Sequence, residues 1–487
     1  MIGRSDSDRD LLAALARQAM VDRGFEPDFG PEVAAEVARL AGPAPGPPEA
    51  RDLRDLRWSS IDNDDSLDLD QLTAVESIGG VTRVWVAIAD VHARVDRGTA
   101  IDRRARLNST SLYTPGGVFP MLPDVLSTDL TSLVEGEDRL AVVSEIVVDA
   151  RGRLEAAGMV RALVRNHARL TYDEVSAWLS GDGPLPPAVA RVPGLDADLR
   201  LQDTAAALLR RHRADCGALD LERPEARAVF DGGRLVGLRA EPTNRARRLI
   251  EDLMIATNEA TVRFLENRGW PSLRRVVRAP RRWDRLLEVA RAHGESLPER
   301  PSAAALQGFL DGRREADPVR FPDLSLTVVK LLGSGEYVAR RPGGPASSHF
   351  GLAVADYAHS TAPNRRYPDL VTQRLVASAL AGTAPAYTMA ELGALAAHCT
   401  AREDEAKAVE RQSLKSAAAL LLKSRHGERF EALVTGLNAN GTWVRLLDPP
   451  VEGKLVRGGA GLDVGDPIVV SIVGTDVARG FIDLVVA

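Results

Sequence analysis

The stretch SIDNDDSLDLDQL, residues 60–72, packs five aspartates into nine consecutive positions. They are Asp62, Asp64, Asp65, Asp68 and Asp70. The stretch follows residues 56–61, whose pattern predicts a strand, so the carboxylates are expected on the loop where that strand ends. Clustered carboxylates repel one another unless cations neutralise them. The loop therefore predicts a metal site.

Calcium is the first alternative for this loop. Asp62, Asp64 and Ser66 match the first three ligand positions of an EF-hand. However, Leu67 stands where the loop needs glycine, and Thr73 stands where a bidentate glutamate should close it. A solvated acidic loop without metal is the second alternative. Oxygen ligands that leave coordination positions open suit Mg²⁺, or Mn²⁺ in its place, acting on phosphate, so phosphodiester hydrolysis fits best.

The composition predicts a soluble, multidomain, intracellular protein. The chain has 487 residues, of which 45% are hydrophobic and 27% charged. This apolar content is sufficient for one large hydrophobic core and several smaller ones. The first residues, MIGRSDSDRD, carry no apolar signal segment, and no apolar run is long enough to cross a membrane. Cys216 and Cys399 belong to no CxxC pair, which excludes a disulfide framework and a zinc ribbon. We expect a cytoplasmic location and no membrane partner.

The charge distribution leaves nucleic-acid binding open. The net charge of −6 is unfavourable for contacts with phosphate. Yet 57 of the 62 basic residues are arginine, because the sequence holds five lysines, and many arginines cluster, as in residues 245–248 and 274–282. Solvated helix faces explain such clusters as well as RNA binding does, so charge alone decides nothing.

Periodicity divides the chain into three parts. Residues 1–50 contain two amphipathic helical segments, 8–24 and 31–41, which could form a helix-turn-helix. Residues 51–425 begin rich in β-structure and continue with helical segments near 198–214, 245–268, 283–294, 302–313 and 389–425. Residues 426–487 show short strands typical of a five-stranded OB-fold, although a generic β-domain is an alternative. The fold class predicted is a multidomain α+β protein.

Four ordered motifs resemble the ribonuclease II (RNB) family. The spacing of Asp62, Asp68 and Asp70 after Ser-Ile resembles the active-site signature of that family. The other three motifs are SLYTPGGVFPMLPDVLSTDLTSL (111–133), RRLIEDLMIATNEATVRFL (247–265) and HFGLAVADYAHSTAPNRRYPDLVTQR (349–374). Together they span roughly 55–375, which implies an RNB-type catalytic body followed by an S1-like OB-fold.

The resemblance implies an exoribonuclease that degrades single-stranded RNA processively from the 3′ end to nucleoside 5′-monophosphates. It also implies Mg²⁺ dependence, a preference for RNA over DNA, and a monomer. Asp62, Asp68 and Asp70 would hold the ions and orient the attacking water. Tyr113 would stack on the terminal base, a contact that tolerates every base.

Three further residues acquire expected roles from the same resemblance. Glu251 would contact the terminal ribose, where a 2′-hydroxyl distinguishes RNA from DNA. Arg365 would grip the scissile phosphate, because it stands two positions after Pro363 as in the motif, whereas Arg366 does not. His359 and its neighbour in the motif, His349, are expected to be structural.

The sequence departs from the family pattern at three places. Gln71 stands where the family carries a fourth aspartate, so it could offer a metal one carbonyl oxygen without charge, and a second ion should bind more weakly. Leu221 lies near a position where some relatives place an aromatic residue. The helical residues 1–50 replace the usual cold-shock modules. Two other functions stay open: a catalytically weakened RNA-binding homologue, and a metal phosphoesterase acting on small nucleotides.

Overall fold

The structure is a computed structural model. It describes residues 7–78, 81–221, 225–241, 243–280, 282–318, 320–344, 349–354, 356–438 and 441–487.

The N-terminal segment contains two helices, α1 (Asp8–Asp22) and α2 (Pro31–Val37). The Ser7 hydroxyl caps α1 by accepting the Asp10 N–H, and Pro31 opens α2. The second helix ends at Val37, four residues before the predicted end at 41, because the chain turns and reaches the Gly/Pro-rich stretch 42–48. The helix-turn-helix assignment stays a prediction.

A seven-stranded sheet forms the centre of the catalytic body. The elements of this part are β1 (Arg51–Asp52), β2 (Ser59–Asp62), β3 (Gln71–Ile78), β4 (Val81–Ala89), α3 (Ala100–Asn108), β5 (Leu112–Thr114), β6 (Gly117–Phe119), β7 (Asp138–Val148), β8 (Leu154–Arg165) and β9 (Ala168–Thr171). The strand order is β1-β8-β7-β4-β3-β2-β9, with β5 and β6 forming a separate hairpin. Neighbours are antiparallel except for β1 with β8 and β2 with β9.

Both faces of the sheet are buried, which explains why β4 is an almost continuous apolar run. Val84, Val86 and Ile88 belong to the core on one face, while Trp85 and Ala87 belong to the core on the other. Successive side chains of a strand point to opposite faces, so a strand covered on both sides needs apolar residues at every position. The sheet therefore stands as the middle layer between helices.

Helices and short strands complete the body. They are α4 (Tyr172–Ser180), α5 (Pro187–Ala190), α6 (Leu195–Asp215), β10 (Glu225–Asp231), β11 (Arg234–Glu241), α7 (Arg245–Asn267), β12 (Ser272–Val276), α8 (Trp283–Ala292), α9 (Ala303–Ala316), α10 (Phe321–Leu332), β13 (Glu336–Arg340), α11 (Tyr367–Ala381) and α12 (Met389–Leu422). Helices α4, α6 and α7 pack on one face of the sheet, and α11 packs on the other with part of α12. None of the helices in the described ranges is long and apolar enough to cross a membrane.

The C-terminal part is a closed five-stranded barrel. Its strands are β14 (Arg429–Asn438), β15 (Gly441–Leu446), β16 (Glu452–Arg457), β17 (Pro467–Asp476) and β18 (Phe481–Val486), joined in the order β14-β15-β16-β18-β17. It packs against α12, where Gly480 lies so close that a Cβ added there would come within 2.6 Å of the Lys415 Cβ. The α+β class and the C-terminal OB-like barrel predicted from the sequence are confirmed.

Candidate active site

The three motif aspartates lie at one end of the central sheet. Asp62 is the last residue of β2, and Asp70 immediately precedes β3, the antiparallel neighbour of β2. The loop between the strands carries Asp68, whose carboxylate accepts a hydrogen bond from the Ser66 hydroxyl at 3.2 Å. Burial raises the pKa of Asp62, and the Asp68 carboxylate raises it further. The fold thus brings together the charges that the sequence predicted to be close.

Hydrogen bonds from outside hold the backbone of the acidic loop. The Arg169 guanidinium, on β9, donates to the carbonyl oxygens of Asp64 (2.9 Å) and Ser66 (2.8 Å). The Ser132 hydroxyl accepts the Leu69 N–H at 3.1 Å. Because its carbonyl and N–H groups are bonded to distant segments, the loop has a defined shape although it lacks regular structure.

The other two loop aspartates have different surroundings. Asp65 forms an ion pair with Arg227 of β10, and both side chains are about half exposed. Asp64 is exposed. The Asp65 carboxylate is therefore engaged by a neighbouring hairpin.

Asp70 is the most deeply buried of the three motif carboxylates. Its exposed fraction is 2%, and burial raises its pKa to about 7. The carboxylates of Asp68 and Asp369 add to this rise, while Arg365 and the Asn364 N–H oppose it. The N–H donates to Oδ1 at 3.3 Å, and the Arg365 Nε lies 3.6 Å from Oδ2. Within the described ranges, Oδ2 accepts no hydrogen bond.

The unsatisfied oxygen of Asp70 provides a test of whether a cation suits this site. A buried carboxylate oxygen without a donor is costly, and a cation beside it removes that cost. The donors are all oxygens, as Mg²⁺ prefers. Among the residues described, no three Asp, Glu, His or Cys side chains are close enough to form a ready-made ligand group. The donor chemistry fits a divalent cation, and Asp62, Asp68 and Asp70 are the residues that would hold it.

Gln71 directly follows Asp70 in the chain. It opens β3, opposite Ile88, and shares a face of the sheet with Thr73, whose hydroxyl bonds to Gln202 of α6 at 2.7 Å. The hydrogen bonds between β3 and β4 continue one residue further, to Asp70, whose carbonyl accepts the Ala89 N–H at 2.9 Å. Adjacent side chains therefore reach the end of the sheet from opposite faces, and the role of Gln71 as a ligand stays a prediction.

The structure separates the two adjacent arginines of the APNRRY motif. Arg365 is 45% exposed and its guanidinium faces the Asp70 carboxylate. Arg366 instead forms an ion pair with the fully buried Asp369 at 2.7 Å. Asp369 also accepts the Ala362 N–H at 2.9 Å, so this pair fixes the turn that carries Arg365. Arg365 is thus placed to meet a ligand, and Arg366 is placed to support the turn.

Tyr113 lies beside the aspartates on the β5–β6 hairpin. The residue is 46% exposed, and its backbone N–H donates to the Glu410 carboxylate of α12 at 3.0 Å. Burial raises the pKa of the hydroxyl, Arg365 opposes the rise, and the three motif carboxylates add to it. The hydroxyl therefore sits among the charges of the site while part of the ring is open to a ligand.

Glu251 lies on α7, next to a different set of charges. Burial raises its pKa, Asp252 adds to the rise, and Arg213, Arg210 and Arg248 oppose it. Asp252 itself accepts hydrogen bonds from both α6 arginines, 2.8 Å from the Arg210 Nε. The structure thus places Glu251 against an arginine group that connects α6 and α7.

Two residues at the site were missed in the sequence, Tyr172 and Arg247. Tyr172 opens α4 directly after Thr171, and Thr171 pairs with Asp62 in the parallel ladder of β2 and β9. Burial raises the pKa of the Tyr172 hydroxyl, and Asp62 raises it further. The Arg247 guanidinium lies 4.6 Å from the Tyr172 ring centre and bonds to the Asn63 side chain at 2.6 Å.

A sequence signal for Tyr172 did exist. In TYDE, the Thr171 hydroxyl caps α4 by accepting the Glu174 N–H, and the Glu174 carboxylate bonds back to that hydroxyl at 2.9 Å. A serine or threonine followed three residues later by glutamate marks the start of a helix. A helix that starts where a strand ends places its first side chain at that edge of the sheet.

The motif histidines have structural surroundings. His359 is half-buried, its Nδ1 bonds to the Tyr337 hydroxyl at 2.7 Å, and desolvation lowers its pKa well below the ordinary value. The His349 ring packs edge-on against Tyr357, and its Nδ1 accepts the Leu352 N–H at 3.2 Å. Both imidazoles are thus committed to packing and to hydrogen bonds inside the protein.

Leu221 does not face the aspartates. It packs against the apolar cluster formed by α8, α9 and α10. The following residues 222–224 lie outside the described part of the chain. An aromatic partner for Tyr113 from this segment is therefore not seen among the described residues.

Two family models match the chain. The RNB domain matches residues 50–382, and the RNase II-type exonuclease C-terminal S1 domain matches residues 428–487. Ribonuclease R of Aquifex aeolicus is 34% identical over 415 residues, which cover 83% of this chain and 57% of that protein. Ribonuclease R of Escherichia coli is 33% identical over 431 residues, which cover 82% of this chain and 50% of that protein. The chain spans about half the length of the curated relatives it matches.

Solved structures show the same fold. Mycoplasma genitalium RNase R in complex with ribose methylated single-stranded RNA superposes with a TM-score of 0.87 at 23% identity, covering 98% of this chain and 78% of that one. Yeast Ssd1, described as a pseudonuclease, superposes with a TM-score of 0.71 at 17% identity, covering 90% and 55%. The resemblance predicted from the motifs is thereby confirmed. The chain belongs to the RNB family and carries an S1 domain of the RNase II type.

Proposed function

We propose that this protein is a metal-dependent exoribonuclease that removes nucleotides hydrolytically from the 3′ end of single-stranded RNA. The observation that carries the proposal is the buried Asp70 carboxylate, whose unsatisfied oxygen lies 3.6 Å from the guanidinium of Arg365. An acidic group and a basic group that share one end of a sheet can bind a cation and a phosphate side by side. Membership of the RNB family and the likeness to Ribonuclease R support the same activity.

Magnesium is the cation that suits these carboxylates, and Mn²⁺ could replace it. When bound, such an ion supplies an activated water and neutralises charge on the phosphate. Asp62, Asp68 and Asp70 would hold the ion and orient the water. Because Asp70 is fully enclosed, its carboxylate keeps one position for this task, and Asn364 fixes that position through its N–H.

Arg365 would bind the scissile phosphate. A guanidinium presents two parallel N–H groups that match two phosphate oxygens, and it stabilises the charge that develops during the attack. The attacking water adds to phosphorus, the bond from phosphorus to the O3′ of the preceding nucleotide breaks, and that oxygen takes up a proton. The products are a nucleoside 5′-monophosphate and an RNA shortened by one nucleotide with a free 3′-hydroxyl.

The surrounding residues would hold the last nucleotide. Stacking of its base on the exposed part of the Tyr113 ring needs no particular base, which suits degradation without sequence preference. Glu251 would accept the ribose 2′-hydroxyl, which favours RNA over DNA. Tyr172, the first residue of α4, lies near Asp62, so its ring would border the same end of the sheet. Processive action, a monomeric state and a cytoplasmic location remain predictions from the sequence.

An RNA-binding protein of weak catalytic power is the second candidate. Gln71 favours it, because an amide brings no negative charge to a metal site. The fold is compatible with this candidate, since the solved neighbour Ssd1 is described as a pseudonuclease.

A labelled RNA separates the candidates. An oligoribonucleotide with a 5′ label is incubated with Mg²⁺, with EDTA, and with Mg²⁺ and the Asp70→Asn variant. The exonuclease gives a ladder that ends in a short 5′ core, and both EDTA and the variant abolish it. Binding without a ladder would establish the second candidate, and neither binding nor a ladder would support a phosphoesterase acting on small nucleotides.

A further inference from the structure

The hairpin that carries Tyr113 is too small to hold its own shape. Strands β5 and β6 have three residues each. An isolated hairpin of two strands is marginal in water, and shorter strands are less stable still. The position of Tyr113 is therefore set by whatever packs around the hairpin.

We infer that α1 is a positioning element for Tyr113, so that the N-terminal segment controls how firmly the site holds the 3′-terminal base. This inference rests on the proposed function, because it assumes that Tyr113 stacks on that base.

The tip of the hairpin touches the backbone of α1 directly. A Cβ added to Gly116 would lie 2.2 Å from the Ala13 nitrogen and 2.7 Å from the Leu12 carbonyl carbon. Atoms that are not bonded to each other do not approach so closely, and the obstacle is helical backbone, which cannot rotate away. Gly116 thus allows a contact between the hairpin and α1 that any other residue would push apart.

Below this contact, one apolar cluster joins three elements. The N-terminal segment contributes four buried residues, the hairpin contributes Leu112 and Phe119, and α12 contributes Ala406 and Val409. The four N-terminal residues are Ala16, Ala19, Met20 and Phe25. Leu112 directly precedes Tyr113, so the residue before the tyrosine is buried between α1 and α12.

The far end of α1 is fixed to the body. The Arg402 guanidinium of α12 donates to the Arg23 carbonyl at 2.9 Å and stacks 3.5 Å from the centre of the Phe25 ring. The Glu26 N–H and carbonyl bond to the Asn108 side chain at 3.0 and 2.9 Å. Asn108 ends α3, the helix that leads into the hairpin. The helix α1 is therefore a fixed support rather than a loose appendage.

The test compares two 5′-labelled oligoribonucleotides, one ending in uridine and one ending in an abasic ribonucleotide. The full-length protein with Mg²⁺ is assayed for removal of the last nucleotide. The readout is the kcat/KM for the uridine-ending RNA divided by the kcat/KM for the abasic RNA. If a variant binds without cleaving, the ratio of Kd values takes its place. A simple loss of folded protein lowers both rates equally and leaves the ratio unchanged.

The variants are Tyr113→Ala, Gly116→Ala and Met20→Ala. Gly116→Ala pushes the hairpin from α1, and Met20→Ala leaves the helix backbone intact but empties its contact with the cluster. Gly30→Ala is the matched control, since an added Cβ there meets nothing within 4 Å. We expect Tyr113→Ala to lower the ratio about fivefold or more. Gly116→Ala and Met20→Ala should each lower the ratio. Adding either change to Tyr113→Ala should lower the ratio no further, and Gly30→Ala should keep the wild-type ratio.

The outcomes distinguish the two proposals. If Tyr113→Ala lowers the ratio while Gly116→Ala and Met20→Ala keep the wild-type value, the positioning role of α1 is wrong and the proposed function stands. If Tyr113→Ala leaves the ratio unchanged, base stacking is wrong and the inference falls with it. If the wild-type protein neither cleaves nor binds either RNA, the proposed function itself is wrong.

Discussion

The backbone carbonyl of Arg365 accepts a hydrogen bond from the N–H of Ser111 at 3.0 Å. Thr110 and Arg366 form a bridge beside it, and the Tyr367 N–H donates to the Ser109 carbonyl at 2.8 Å. The segment that leads into the Tyr113 hairpin is therefore paired, like a short strand, with the segment that carries the arginine. The group proposed to hold the base and the group proposed to hold the phosphate share one backbone frame.

Replacing Arg365 should affect the reaction and not the fold. Arg365→Lys keeps the charge but loses the bidentate fork, so kcat should fall by about 10²–10³-fold. Its side chain is 45% exposed, so the melting temperature should stay within a degree or two of the wild-type value. Single-turnover cleavage and thermal unfolding measure the two effects. Arg366→Lys is the matched comparison, and it should lower the melting temperature because an ammonium group cannot reproduce the guanidinium contact with the buried Asp369. Wild-type kcat in Arg365→Lys would remove that arginine from the reaction.

Glu251 should control the choice of sugar. In Glu251→Gln the side chain keeps its size but loses the charged acceptor, so RNA ending in a 2′-hydroxyl should lose its advantage over the same RNA ending in a 2′-deoxynucleotide. The measurement is the ratio of kcat/KM for the two termini, which we expect to fall several-fold. Glu259→Gln, on the same helix, is the control. A ratio unchanged in Glu251→Gln would assign Glu251 to the arginine group of α6 and α7 alone.

The sequence predicted the site more completely than it predicted the surroundings of the site. Asp62, Asp68 and Asp70 could be grouped because all three lie within one short loop. Arg365 and Tyr113 came from motif resemblance, because 252 positions separate them and no local pattern reports a long-range contact. Tyr172 was missed because the capping pattern of TYDE marks only the start of a helix, and the place of that start beside Asp62 depends on the parallel pairing of β2 with β9.

The fold shows the same division. Long amphipathic helices were predicted nearly to their ends, as for 245–268, which is observed as Arg245–Asn267. Helix α11 (Tyr367–Ala381) was not predicted, since most of its residues are buried and it lacks an amphipathic pattern. Helix α3 was missed inside a region that was predicted to be rich in strands.

The metal-free protein should lose stability as the pH rises. Burial raises the pKa of Asp70 to about 7, above its unfolded value of 3.8, so the folded state binds the proton more tightly. This group therefore favours folding at low pH. As the pH rises from the unfolded pKa to the folded pKa, its contribution to the free energy of unfolding falls by at most about 1.4 kcal/mol per pH unit. Urea unfolding in EDTA at pH 5, 6, 7 and 8 measures the slope. Asp70→Asn should make the free energy of unfolding less dependent on pH, and the control Asp64→Asn, at an exposed site, should leave the slope unchanged. An Asp70→Asn slope equal to the wild-type slope would contradict the enclosed carboxylate.

Gln71 should limit the affinity for magnesium. Gln71→Asp adds a charge at the end of the sheet that carries Asp70, so the Mg²⁺ concentration for half-maximal activity should fall several-fold. Activity is measured over a magnesium titration. The control is Gln307→Glu on α9, whose side chain bonds to Asp311 on the same helix. An unchanged magnesium requirement in Gln71→Asp would show that residue 71 does not contact the ion.

The fate of the last nucleotide tests the central claim most directly. A single-stranded RNA labelled in its 3′-terminal nucleotide is mixed with excess protein and Mg²⁺, and the first labelled product is identified. We predict that the label leaves at once as a nucleoside 5′-monophosphate, and that Asp70→Asn and EDTA each abolish its release. Label found first in longer fragments, or released at the wild-type rate by Asp70→Asn, would contradict a metal-dependent 3′ exonuclease centred on Asp70 and Arg365.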